Sequence, residues 1–370
     1  MDFAFDETQE DLRRAVRGFL ANAASESETR RAMETEAGYD EAVWRRMGAE
    51  LGLQGLAVPE EYGGAGAGPV EVGLVMEEMG RALLCAPFLS SAVLATTALV
   101  RSEDEQARAE LLPRLVSGDR VATLALTEDS ARWDREGVAL TARPAGDDWL
   151  LDGHKTFVLD GAAADVILTV ARLPEGTGVF LVDAGADGLT RTALPTLDPT
   201  RHQARLEYRG VAARRLQTAG DGWDLVTVVL QQGIAALAAE QVGAASRALD
   251  MAVEYAKVRH QFGRAIGSFQ AVKHLLADVL LEVESARAAA YAALLALQEG
   301  DEVPAATSLA KAFCSEACLK ATESNIQVHG GIGFTWEHPA HLYFKRAKTS
   351  QLLFGDPALH RELLAQAIGV

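Results

Sequence analysis

Gly118-Asp119-Arg120-Val121-Ala122-Thr123-Leu124-Ala125-Leu126 is where this chain changes texture. Upstream, Phe5, Leu12, Val16 and Leu20 recur at helical spacing, and Asp40 is a plausible N-cap for Glu41–Leu51. A glycine cluster, Tyr62-Gly63-Gly64-Ala65-Gly66-Ala67-Gly68-Pro69, interrupts the pattern. Helix is expected again over Val70–Met79, Ala92–Val100 and Glu105–Val116. Downstream come short apolar runs separated by turn residues: Val121–Leu126, Val138–Thr141, Trp149–Leu151, Val166–Ala171, Val179–Val182, Leu189–Ala193 and Ala204–Tyr208. Asp147-Asp148 and Asp152-Gly153 supply turn chemistry, and the spacing predicts antiparallel strands. From Trp223 the helical period returns. Trp223–Arg259 holds no proline; Phe269, Val272, Leu276, Val279 and Val283 stripe the next helix; Pro304 opens a third that Gly330-Gly331 closes. Pro339–Lys348 and Pro357–Ala367 read as shorter helices. The expected fold class is α+β in three domains: N-terminal helices over 1–119, a middle antiparallel β domain over 120–215, and a C-terminal four-helix bundle over 216–370.

Of 370 residues, 49% are hydrophobic and 24% charged, ordinary for a globular protein with a large core. Aromatics are only 6%, so small aliphatics must pack the helices. Against 35 Lys+Arg stand 52 Asp+Glu, a net charge of −17. That field disfavours nucleic acid and anionic membranes as partners, while still allowing a local basic pocket for one anionic ligand. The opening Met1-Asp2-Phe3-Ala4-Phe5-Asp6-Glu7 is acidic where a signal peptide would be basic, and no uncharged apolar run reaches membrane-spanning length. Cys85, Cys314 and Cys318 cannot make a disulfide framework. Cys314 and Cys318, one helical turn apart, read as small buried hydrophobes. The expected compartment is reducing and cytoplasmic.

Several stretches together resemble the acyl-CoA dehydrogenase flavoprotein family. They are Phe3-x-x-Asp6-Glu7-x-Gln9, Gly52-Leu53 through Pro59-Glu60-Glu61-Tyr62-Gly63-Gly64-Ala65-Gly66, Arg259-His260-Gln261-Phe262-Gly263, and Gln327-Val328-His329-Gly330-Gly331-Ile332-Gly333. Each is weak alone; their order and placement on the helix–β–helix plan carry the resemblance. It implies FAD, an acyl-CoA substrate in lipid metabolism, electron-transfer flavoprotein as acceptor, and a dimeric or tetrameric assembly.

The resemblance also implies that Arg259, Phe262, Gln327, Gly330 and Gly331 reach a neighbouring subunit's FAD. Arg259 can fork onto a pyrophosphate, and two glycines let backbone N–H groups approach it. The alternative is a surface arginine and a helix-capping glycine pair. On the isoalloxazine side the family writes Thr-Glu-Pro-x-x-Gly-Ser-Asp. This chain has Thr127-Glu128-Asp129-Ser130-Ala131-Arg132-Trp133-Asp134. The family's Lys-x-Trp-Ile-Thr-Asn-Gly is here Lys155-Thr156-Phe157-Val158-Leu159-Asp160-Gly161. Phe157 could still stack, but Leu159 brings no hydroxyl.

The family's catalytic carboxylate occupies one of two places, which correspond here to Phe354 and Gly233. Neither accepts a proton. Asp356 is the best substitute, though before Pro357 it also reads as a helix N-cap; Glu240 faces the same way as Gly233 but two turns along. His329 reads as structural, and His260 and His274 as facing solvent or backbone. Lys345, Arg346 and Lys348 form a small basic patch. The reading is therefore one-sided: groups offered to a neighbour's FAD are kept, and those needed for its own are lost. The chain is expected to be the base-lacking subunit of a heterotetrameric, α2β2 acyl-CoA dehydrogenase, paired with a homologous chain carrying the catalytic Glu. Two other readings stay open. One is a self-sufficient homotetramer using Asp356 or Glu240; the other is a flavin-dependent oxygenase or oxidase on the same fold. The acyl group is not specified, although Gly233 and Ala-rich helix faces leave room for something as bulky as a sterol side chain.

Overall fold

The computed structural model describes residues 5–146 and 148–370. Phe3 of the opening motif and Asp147 of the Asp147-Asp148 turn lie outside them. Two compact units divide the chain, and neither is continuous in sequence. A helical unit takes the residues up to Arg30, Pro69–Leu84 and Ile234–Val370. A β-containing unit takes Arg31–Gly68 and Cys85–Gly233.

The N-terminal helices are α1 (Glu7–Ala23), α2 (Glu26–Met33), α3 (Glu41–Leu51), α4 (Pro69–Ala82), α5 (Thr96–Val100) and α6 (Glu105–Val116). Asp6 opens α1 with a capping box to Gln9, and Asp40 opens α3 by accepting from Ala42 and Val43 N–H. The helix expected over Ala92–Val100 is α-helical only from Thr96; Phe88–Ala95 is wound as a π-helix with every residue buried.

Seven strands follow: β1 (Ala122–Ala125), β2 (Thr141–Ala145), β3 (Asp148–Leu159), β4 (Val166–Leu173), β5 (Gly176–Asp183), β6 (Leu189–Ala193) and β7 (Gln203–Arg215). Pairings β4–β2, β2–β3, β3–β7, β7–β5 and β5–β4 close a ring, with β1 paired outside it to β4 and β6 to β7. Spacing predicts a wholly antiparallel sheet, and the sheet is mixed. β1 runs parallel to β4, with Ala122 opposite Val166, and β2 meets β4 in parallel at Thr141. Spacing reveals strands but not which distant strand each one joins. The strand expected over Val138–Thr141 is displaced to begin at Thr141. The Ala139 and Leu140 N–H groups bond instead to the Glu128 carboxylate, and the Val138 and Leu140 carbonyls accept from Arg172. Leu151, Ile167, Phe180, Leu206 and Tyr208 fill the ring, all buried.

The C-terminal helices are α7 (Gly222–Val258), α8 (Gln270–Glu299), α9 (Val303–His329), α10 (Ala340–Leu352) and α11 (Pro357–Ile368); a two-strand hairpin, β8 (His260–Gln261) with β9 (Arg264–Ala265), separates α7 from α8. Within the helical unit α4 and α7 touch backbone to backbone through reciprocal glycines. A Cβ on Gly243 would overlap the Glu77 carbonyl, and one on Gly80 would overlap the Glu240 carbonyl. Helix α7 holds an 18-residue window apolar enough to cross a membrane by length and composition, and 72% of that window is buried inside the protein. Cys85, Cys314 and Cys318 are free and buried, as small core residues should be.

Candidate functional site

At the end of α7 the chain makes the tightest turn available to it. Phe262 (φ 53°) and Gly263 (φ 79°) both lie in the left-handed region between paired strands β8 and β9. That is the hairpin turn whose twist matches the strands, and it is normally built from Asn or Gly. A bulky residue there is a backbone outlier. The Phe262 side chain is 91% exposed, and an edge contact with the Phe269 ring at 6.1 Å is slight compensation for the strain. Arg259 is also exposed, one helical turn beyond Tyr255, whose carbonyl accepts its N–H at 2.9 Å.

Tyr255 stacks on His329, with ring centroids 4.3 Å apart, and His329 lies 4.1 Å from the His338 ring. The last turn of α7 is thereby tied to the last turn of α9. His329 is buried and donates from Nδ1 to the Asn325 carbonyl at 2.9 Å. Burial lowers its pKa, which favours the neutral ring in this stack. The structural role expected for His329 is what the geometry shows. One position later α9 gives way to Gly330, whose φ of 66° and ψ of −141° suit only glycine. Gly331 is different: a Cβ there would meet open space. Nothing in this chain requires glycine at position 331. Gly330, Gly331 and Gln327 are exposed, as are Phe334 (73%) and Trp336 (59%). So the five residues expected to grip a dinucleotide lie on the hairpin and helix end that this stack joins. Sequence reasoning missed Tyr255; its position one turn before Arg259 on the same helix face was the available signal.

The expected basic patch is not a patch. Lys345 lies over the Trp336 ring, 4.6 Å from its centroid, and Lys348 reaches Gln351. Arg346 is buried, bonded to Glu240 at 2.6 Å and to the Leu84 carbonyl at 3.2 Å. Periodicity could not show that a helix face so rich in cations turns one of them into the core. His260 is exposed and bonds the Val258 carbonyl, and His274 is exposed beside Gln270, as expected.

In the β-containing unit, the surviving letters of the flavin motifs build the sheet. Thr127 and Thr156 exchange two hydrogen bonds, at 2.7 and 2.8 Å. Glu128 accepts from Ala139 N, Leu140 N and Lys155 Nζ, and Lys155, fully buried, also donates to the Leu126 carbonyl. Burial pulls Lys155 down to about 8 against the raising effect of Glu128. Burial works against the Glu128 carboxylate too, but Lys155 and the two N–H groups outweigh it and hold the pKa below its usual range. Beyond Glu128 the loop closes on itself. Arg132 forks onto Asp134 at 2.6–2.9 Å, and Asp129 pairs with Arg205 at 2.6 Å and His154 at 3.0 Å. Ala131, in the stretch where the family has small residues, is left-handed at φ 52°. Phe157 sits in a bulge of β3 with φ 56° and 41% exposure, whereas Leu159 is buried in the sheet. Asp129 stands where the family motif has Pro, and a carboxylate there fits a pyrophosphate poorly, because like charges repel.

Neither expected base position holds a proton acceptor, and both carboxylates offered as substitutes are engaged elsewhere. Phe354 is 4% exposed with φ 60°, and its carbonyl accepts from His360 Nε2 at 2.8 Å. Gly233 lies buried within α7. Asp356 accepts from Leu359 N at 2.8 Å and caps α11, with Pro357 at the first turn. Glu240 is held by Arg346 in a buried ion pair.

Three family descriptions cover this chain in order: "Acyl-CoA dehydrogenase, N-terminal domain" over residues 6–119, "middle domain" over 123–211 and "C-terminal domain" over 220–369. The chain belongs to the acyl-CoA dehydrogenase family. It is similar to acyl-CoA dehydrogenase IpdE2 of Mycolicibacterium smegmatis, 36% identical over 95% of this chain and 96% of that one. Acyl-CoA dehydrogenase FadE27 of Mycobacterium tuberculosis is 33% identical, with 96% and 95% covered. Among solved structures it resembles a variant of the Tcur3481-Tcur3483 steroid ACAD (TM-score 0.89, 33% identity, 98% of each chain). It also resembles the ChsE4-ChsE5 complex of Mycobacterium tuberculosis (TM-score 0.92, 31% identity, 100% and 99% covered). The family consists of FAD-dependent flavoprotein oxidoreductases acting on CH–CH bonds, and this acyl-CoA dehydrogenase has the family fold throughout.

Proposed function

We propose that this acyl-CoA dehydrogenase works as one subunit of a hetero-oligomer, completing the FAD site of a homologous chain that carries the catalytic Glu. The observation that carries this reading is the contrast between the two candidate grips. On the helical unit, the strained and exposed Phe262 and the unforced glycine at 331 are features that this chain alone does not use. On the β-containing unit, the expected flavin loop is tied up in its own ion pairs; at the expected base positions Gly233 has no side chain and Phe354 is packed, while Asp356 caps a helix and Glu240 is paired. Two solved relatives are named as pairs, and one of those names specifies a steroid enzyme. The proposed substrate is therefore a sterol-derived acyl-CoA, with electron-transfer flavoprotein as acceptor.

Arg259 would hold the FAD pyrophosphate with paired donors, Gly330 and Gly331 would offer N–H groups, and Gln327 and Phe262 would border the cofactor. Bound FAD supplies a hydride acceptor for the thioester β-carbon as a carboxylate takes the α-proton. The role of this chain is to orient and to exclude water. His329 positions the site by fixing Tyr255 and the helix that presents Arg259.

The test is flavin stoichiometry. Purified alone, the chain should hold little FAD and no acyl-CoA should bleach it. Co-purified with a base-bearing homologue, it should give one FAD per heterodimer, and Arg259→Ala should lower retention by about tenfold, the loss of a charge-assisted bidentate contact. Full occupancy and turnover by the lone chain would overturn the proposal. They would favour the self-sufficient homotetramer instead.

A further inference from the structure

The helical unit contains a cavity of about 390 Å³ walled by α1, the start of α2, α4, α7 and α10. That volume falls within the range of small-molecule pockets. It holds roughly a dozen water-sized groups at about 30 Å³ each. Its apolar wall includes Leu20, Leu83, Met251 and Leu342, all at most 5% exposed.

Three guanidiniums line it, Arg17, Arg81 and Arg247, against two carboxylates, Glu26 and Glu78. Most of these charges are committed. Arg17 holds Glu78 with two bonds at 2.6 and 2.8 Å, and Arg81 holds Asp250 at 2.6 Å. Glu26 is taken by Arg30 at 2.8 and 2.9 Å. Arg247 is the loosely held member. Its ion pair, with Glu254, is 3.6 Å long, and that carboxylate is 67% exposed. An exposed pair at that distance contributes little and is readily exchanged. Beside it, the Tyr343 hydroxyl donates to the Arg81 carbonyl at 2.7 Å. The cavity thus joins an apolar wall to one guanidinium that is held only by the long Glu254 pair and by a hydrogen bond to Tyr343, leaving donors of its five for a ligand, in a chain whose net charge is −17.

This place adjoins the His329–His338 stack through Pro339 but is lined by none of the expected cofactor or base residues. Arg247 lies 14 positions beyond Gly233 on α7, about 21 Å along the helix. None of Arg259, Phe262, Gln327, Gly330 or Gly331 lines it. We propose that the cavity binds an amphipathic monocarboxylate, its apolar body against Leu20 and Met251 and its carboxylate on Arg247. A neutral amphiphile would forfeit the ionic contact, and a cationic one would meet Arg17, Arg81 and Arg247.

Calorimetric titration of the purified full chain with octanoate and with octanol tests this. Octanoate should bind at one site per chain, and octanol at least about tenfold more weakly, the fold-change expected for losing a hydrogen bond to a charged group. Arg247→Ala should weaken octanoate by a similar factor. Ala21→Trp, at an exposed position lining the cavity, should abolish binding by filling it. Because Ala21 is exposed, that variant folds even if Arg247→Ala does not. Equal affinity for octanoate and octanol, unchanged octanoate binding in Ala21→Trp, or no octanoate binding at all would overturn the assignment.

Discussion

Single buried charges in this protein are spent on holding chain segments in place. Arg346 ties Glu240 on α7 to α10 and to the Leu84 carbonyl. Replacing Arg346 with Met should cost on the order of 3–5 kcal/mol by removing the guanidinium that faces the buried Glu240 carboxylate, while the Glu240→Met, Arg346→Met double variant should recover much of it. Urea unfolding of the three proteins checks this; equal losses in single and double variants would contradict it. Lys311 is buried and donates to Ser315 Oγ and to the Ser350 and Gln351 carbonyls at 2.9–3.1 Å, clamping the end of α10 just before Phe354. Burial pulls its pKa down to about 7. The unfolded value is about 10.4, so between these limits the unfolded chain binds more protons and stability rises with pH. Below about 7 both states are charged and the Lys311 contribution is flat at its least favourable. Stability measured at pH 7 and pH 9 should therefore differ more in the native protein than in Lys311→Met, by a few kcal/mol at most.

Among the elements, the α4–α7 crossing is the least tolerant contact. Gly243→Ala would drive a methyl into the Glu77 carbonyl and should cost about 1–3 kcal/mol or more. Gly18, inside α1, has nothing within 4 Å of where a Cβ would stand, so Gly18→Ala should instead stabilise by about 0.5–1 kcal/mol. Thermal melts of the two variants should move in opposite directions. The β8–β9 hairpin poses the converse case. Phe262→Gly relieves a left-handed backbone and should leave the chain as stable or more so. If Phe262 serves the partner's site, the same change should reduce FAD retention by the complex; unchanged retention would remove Phe262 from the proposed grip. The hairpin was visible in the sequence as an Arg-x-x-Phe-Gly motif, and α4 and α7 as helical periods. Their tightness was not, because a spacing rule carries no information about what a Cβ would strike.

For the whole molecule, the proposal makes the deficit in flavin handling broader than one missing carboxylate. Restoring a base should therefore not restore an enzyme. The segment around Phe354 is already fixed at three points: Lys311 before it, His360 on its carbonyl, and the Asp356 cap after it. Phe354→Glu in the lone chain should give no acyl-CoA-dependent bleaching of flavin, measured anaerobically with excess FAD. Turnover by that variant would show that the β-containing unit still holds a working cofactor, despite Asp129, Arg132 and Trp133.

The sequence by itself determined the fold class, the helix–β–helix order, most element bounds and the family. Periodicity, capping residues and turn chemistry act over a few neighbours, and motif order survives substitution. Only the tertiary structure decided which distant groups meet. It sent Arg346 inward to Glu240, turned Glu128 from a flavin-motif letter into the partner of Lys155, moved the start of β2 from Val138 to Thr141, and ran β1 parallel to β4. Those outcomes follow from satisfying buried charges and backbone groups across long sequence separations, a requirement that no local pattern encodes.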